Sequence, residues 1–140
     1  MVNICNANVV GQVQSWEAAI RLAAQPLLEA GCIAVSYIDA MIQNVNDNDS
    51  YMIILPGISM PHARPESGAL KNGLSILKVN VAVTFPGENP VNVLFCFSGV
   101  DPDGHMDMIA DLSEILMDDA AVARLFAAKT AEDIFEVFHG

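Results

Sequence analysis

Apolar positions along the chain keep two different rhythms, and the changes between them mark the expected elements. Ala7 to Val10 reads as a brief strand ahead of Gly11. Trp16, Ile20, Ala23, Ala24, Leu27 and Leu28 then recur at helical spacing, behind Ser15 as N-cap. Pro26 should bend or split this helix near its end, and Gly31 fits its stop. Ser36 with Asp39 resembles a capping box opening a second helix through Tyr37, Met41 and Ile42. The polar run Asn44 to Ser50 should end it, because short polar side chains compete for backbone hydrogen bonds.

Tyr51 to Leu55 is a short apolar run, expected as a buried strand that Pro56-Gly57 breaks. From Lys78 to Phe85 apolar and polar residues alternate with the period of a strand. Pro86 to Pro90 reads as a turn, and Val91 to Phe97 as the return strand of a hairpin. The last third is helical: Met106 to Met117, Ala120 to Ala127, and a Thr130-capped helix presenting Ile134, Phe135 and Phe138. The methionines of Met106 to Met117 are expected as helix core. No repeat or linker interrupts the chain, so residues 1–140 are expected to form one α/β domain, a mixed β-sheet flanked by helices.

Composition narrows the function classes. Of 140 residues 53% are hydrophobic and 16% charged, which fits a filled core rather than a disordered chain. Six Lys and Arg against seventeen Asp and Glu give a net charge of −11, too few cations for a phosphate-binding face, so no nucleic-acid partner is expected. No apolar run approaches the roughly 18 to 20 residues that span a bilayer. The Met1-Val2-Asn3 start has neither a basic nor an apolar leader region, so a soluble cytoplasmic protein with no direct membrane insertion is expected. Cys5, Cys32 and Cys96 lie far apart and form no CxxC pair, and they read as small core or surface residues.

Chemistry concentrates in Gly57 to Glu66. Pro61 and Pro65 restrict themselves and the residues before them, so His62 sits on a stiffened loop leaving a strand. An imidazole with an unperturbed pKa of about 6.5 keeps a large neutral fraction able to act as nucleophile or base. Arg64 is permanently cationic and matches the oxygens of a phosphoryl or carboxylate group. On spacing alone the same stretch also fits a turn with a surface His and Arg. His105 follows the hairpin and opens a helix, where unsatisfied N–H groups favour an anion, although a His at such a position is most often only a solvated residue. His139 has no chemical partners near it in the sequence and reads as a tail residue. A metal site from His62, His105 and Asp101 or Asp103 lacks the usual ligand spacing. A G-x-S-x-G elbow, a P-loop and a GxGxxG are all absent.

The segment Leu55 to Ala63 (L-P-G-I-S-M-P-H-A) resembles the signature of the type-2 enzyme IIA domains, the mannitol/fructose group of the bacterial phosphoenolpyruvate-dependent sugar phosphotransferase system. The likeness extends over nearly the whole chain: the Trp16 helix start, the Gly31 to Met41 stretch with Tyr37, the hairpin, and Gly104-His105 before Leu112 and Leu116. Pro61 to Glu66 is most similar to the ascorbate-type branch. The resemblance implies the mannitol-type enzyme IIA fold. It also implies that His62 accepts a phosphoryl group at Nε2 from the carrier HPr and passes it to a cysteine of enzyme IIB, with His105 assisting. The membrane enzyme IIC of the same system would choose the sugar. Mannitol-type members carry an Arg on the second helix, whereas Met41 to Val45 here has no cation, and Arg64 is the inferred replacement. No metal, nucleotide or other cofactor is needed, because the donor is already activated. Ile58, Met60, Met106 and Met108 are candidate docking-rim residues, with core burial the other reading. A phosphorylation-dependent regulator of a transcription factor or transporter is the alternative function, and a metal-dependent hydrolase using His62 and His105 a weaker one.

Overall fold

The computed structural model describes residues 6–48 and 52–139, with backbone only at 48, 102–105 and 139. Five strands, β1 (Asn6–Val10), β2 (Ile53–Leu55), β3 (Gly57–Ser59), β4 (Gly73–Phe85) and β5 (Asn89–Ser98), form one mixed sheet in the order β1-β4-β5-β3-β2. β1 runs parallel to β4 and β3 parallel to β5, while the β4–β5 hairpin and the β2–β3 pair are antiparallel. Helices α1 (Trp16–Glu29) and α2 (Val35–Asn48) and helices α3 (Pro102–Leu116), α4 (Asp119–Ala127) and α5 (Ala131–His139) contribute to two separate cores. Alternation along β5 divides its side chains between them. Leu94 and Cys96 pack with Leu27, Tyr37 and Met41, whereas Val93, Phe95 and Phe97 pack with Leu112, Leu125 and Ile134.

The cap at Ser15 forms as expected, its hydroxyl accepting the Ala18 N–H at 3.1 Å. Helix α1 is not split at Pro26 but continues to Glu29. It closes on a Schellman motif: Cys32 N–H donates to Leu27 C=O, Gly31 N–H to Leu28 C=O, and Gly31 takes φ +76°. Three further expectations about this half are corrected. Helix α2 starts at Val35, and Ser36 donates its hydroxyl to the Ser67 carbonyl at 2.8 Å instead of capping. The helix also runs through the polar segment to Asn48, because fully buried Val45 anchors its last turns in the core. β2 is an edge strand with Ile54 39% exposed, not a buried one.

The hairpin turn is shorter than Pro86 to Pro90, since Asn89 and Pro90 already pair with Phe85 and Thr84, and further differences come from burial on both faces. β4 begins at Gly73, five residues before its alternating part, since Gly73 to Leu77 is buried throughout and gives no period-2 signal. Its register with β5 shifts between Lys78 and Val83, which leaves Val81 exposed. β3, embedded between β2 and β5, had no sequence signal of its own. The C-terminal helices fall where expected except that α3 starts at Pro102, before Met106. Thr130 and Asp133 close a reciprocal cap on α5: the Asp133 N–H donates to Thr130 Oγ1, and the Lys129 and Thr130 N–H groups donate to the Asp133 carboxylate. Met106 and Met117 contradict the helix-core reading, being 65% and 84% exposed. Cys32 and Cys96 are buried, and burial pushes the Cys96 pKa up to about 12. Cys5 lies outside the described residues.

Candidate functional site

His62 leaves the sheet at the carboxyl end of β3, beside the carboxyl end of β5. The pairing continues past the last ladder residue: the Phe97 N–H donates to the Pro61 carbonyl at 3.2 Å and the Met60 N–H to the Met52 carbonyl at 2.8 Å. The two prolines therefore stiffen a segment that the sheet already holds. Pro61 and Ala63 are buried, His62 is half-buried and Arg64 exposed, an alternation that puts both polar side chains on the accessible side.

Among the described residues, two contacts orient the imidazole. Its ring stacks on Phe97, with centroids 4.9 Å apart and planes 24° from parallel. Its Nδ1 lies 2.8 Å from the Met60 carbonyl oxygen, which can only accept, so the Nδ1 proton is the one fixed by this bond. In the neutral ring the lone pair is then on Nε2, the nitrogen the resemblance assigns to phosphoryl transfer.

Helix α2 splints this loop from the other face of the sheet. The buried Tyr37 hydroxyl accepts the Ala63 N–H at 3.0 Å and lies 3.1 Å and 2.9 Å from the carbonyls of Ala63 and Phe97. The Ala34 N–H donates to Gly68 C=O, and the Asn44 amide is 3.5 Å from the His62 carbonyl. Gly68 takes φ +132°, and a Cβ there would lie 2.7 Å from Ser36 Oγ, so a glycine lets the loop lie against the helix start.

His105 occupies the first turn of α3, which begins just past Ser98 at the same end of the sheet. Its side chain lies outside the described residues, as does that of His139. In open α/β sheets this end, where strands finish and helix N-termini point, is where anionic groups are received. Ile58 and Met60 are buried in the core on the α3–α5 face and do not form a rim. Met108 packs against that core partly buried, while Met106 is exposed. Sequence reasoning singled out His62, Arg64 and His105. It missed Phe97 and gave Tyr37 no part in the site, since both read only as apolar members of their own elements.

A half-buried imidazole with a fixed tautomer thus stands at the carboxyl end of a mixed sheet. The family model described as "Phosphoenolpyruvate-dependent sugar phosphotransferase system, EIIA 2" matches residues 4–140, and the chain belongs to that family. It is thus an enzyme IIA component, a phosphotransferase. The chain is 34% identical over 131 residues to the mannitol-specific cryptic phosphotransferase enzyme IIA component of Escherichia coli (strain K12), covering 93% of this chain and 89% of that one. The solution structure of the Escherichia coli mannitol-specific cryptic enzyme IIA superposes with a TM-score of 0.89 at 34% identity, over 95% of this chain and 92% of that one. The ascorbate-specific EIIA component of Salmonella choleraesuis (strain SC-B67) is 29% identical over 129 residues, 90% of this chain and 84% of the relative. Whole-chain identity is thus higher to the mannitol-specific cryptic relative than to the ascorbate-specific one, and the closer likeness to the ascorbate-type branch is confined to Pro61 to Glu66. Among the described residues no helix is long and apolar enough to cross a membrane.

Proposed function

We propose that His62 is the phosphoryl-carrying residue of this enzyme IIA, and that the 1–140 domain works in the cytoplasm between HPr and an enzyme IIB. The observation that carries the reading is the 2.8 Å bond from Nδ1 to the Met60 carbonyl, which leaves Nε2 as the nucleophilic nitrogen. In the forward step the Nε2 lone pair attacks phosphorus of the HPr phosphohistidine. The N–P bond to HPr breaks, its electron pair returning to the donor ring, while His62 keeps its Nδ1 proton, hydrogen-bonded to the Met60 carbonyl. In the second step a cysteine thiolate of enzyme IIB attacks the same phosphorus, and the Nε2–P electron pair returns to His62.

Charge in each transition state is spread over three equatorial oxygens, so positioning and electrostatics carry the rate. Arg64, on the accessible side two residues on, supplies a cation for those oxygens. His105 and the N-terminal N–H groups of α3 supply donors from the neighbouring strand end. The net charge of −11 favours encounter with a partner presenting a basic patch.

Incubation with phosphoenolpyruvate, enzyme I and HPr should place an acid-labile, base-stable phosphoryl label on the protein. His62→Ala should remove it, and a label that survives this substitution would overturn the assignment. Onward movement of the label to an enzyme IIB cysteine is the expected second result.

A further inference from the structure

We propose that the Tyr37 hydroxyl is a positioning group for His62, holding the loop in the one geometry that keeps the imidazole proton on Nδ1. The proposal rests on His62 acting through Nε2. Tyr37 is 1% exposed on α2 and belongs to the core opposite the face on which His62 stacks. Its hydroxyl nevertheless reaches the backbone on both sides of the site: Ala63, the residue after His62, and Phe97, the residue beneath the His62 ring.

A phenol has one proton to donate and lone pairs to accept with. Here it accepts the Ala63 N–H, and its proton has the Phe97 carbonyl at 2.9 Å and the Ala63 carbonyl at 3.1 Å. Upstream, the Met60 N–H is fixed to Met52 and the Pro61 carbonyl to Phe97. The backbone from Met60 to Ala63 is thus tied at both ends: downstream the Tyr37 hydroxyl holds Ala63, with the longer Asn44 contact to the His62 carbonyl beside it. The Nδ1 to Met60 carbonyl bond spans only two residues, so it survives only while the intervening dihedrals are held. A neutral imidazole released from such a bond carries its proton mainly on Nε2, which occupies the lone pair needed for attack.

Tyr37→Phe keeps the ring and removes the clamp. In the full-length protein, 15N NMR of the His62 ring should show the Nδ1–H form giving way to Nε2–H. The single-turnover rate constant for phosphoryl transfer from HPr should fall by about ten- to a hundredfold, with the half-saturating HPr concentration unchanged. Retention of the Nδ1–H form together with the wild-type rate would overturn the proposal. Val45→Ala, at a fully buried position on the same helix, lowers stability without touching the hydroxyl and should leave tautomer and rate as they are. If it shifts both as far as Tyr37→Phe does, general loosening explains the effect and the proposal falls.

In the unsubstituted protein the Ala63 amide should exchange far more slowly than that of exposed Glu66. Equal exchange would refute the clamp even if the variant does not fold. If the wild-type protein takes no phosphoryl group on His62, the parent reading fails, while tautomer and exchange still decide the role of Tyr37.

Discussion

The His62 imidazole rests on the Phe97 ring, 4.9 Å between centroids, and the Phe97 backbone is bonded to both Pro61 and Tyr37. One residue of β5 therefore supports the reactive ring from below and fixes the backbone on each side of it. The stack confines the ring to a plane, and the Nδ1 bond sets its direction within that plane.

Phe97→Ala removes both the stack and a fully buried core ring. The expected loss of stability is about 3–5 kcal/mol by urea denaturation, with the His62 ring resonances moving toward those of an exposed histidine. A loss below about 1 kcal/mol would show that the loop, rather than the ring, carries the packing at this edge.

Removing the proposed oxygen clamps should slow transfer without abolishing labelling. His105→Ala and Arg64→Ala are each expected to reduce the single-turnover rate by about a hundredfold, with His62 still becoming phosphorylated. Arg64→Lys should recover part of the loss, because the charge is kept while the planar fork is lost. Rapid-quench measurement of wild-type rates in both alanine variants would remove these residues from the mechanism.

Acid should loosen the start of α5 before the rest of the domain. The Asp133 carboxyl is held below its usual range, first by the Lys129 N–H and then by the backbone and hydroxyl of Thr130. A depressed folded-state pKa means that the cap contributes fully above the ordinary carboxylate value of about 4. That contribution is lost as pH falls through the lower folded value. Amide exchange at Ala131 to Ile134 should accelerate across that acid window in the wild type. Asp133→Asn should show the faster exchange already at neutral pH, and matching neutral profiles for the two proteins would contradict the capping account.

Local patterns predicted those parts whose physics is local. Helix α1 needed only its apolar period, the Ser15 hydroxyl and Gly31, all of which act within a turn or two. The hairpin and the cap on α5 were legible for the same reason. The reach of α2 to Asn48 was not, because it depends on Val45 finding a core built by other elements. β3 and the first half of β4 were hidden because burial on two faces erases the alternation that marks a strand.

The site divides in the same way. The residue string alone established a proline-stiffened histidine with an arginine two positions on, and with it the family. It could not reveal that Tyr37, 26 residues from Ala63 and 60 from Phe97, meets both through one hydroxyl. Nor could it reveal which ring nitrogen holds the proton. Those properties arise only when a helix on one face of the sheet and a strand end meet around a single loop, since hydrogen bonds are set by distance in space and not by position along the chain.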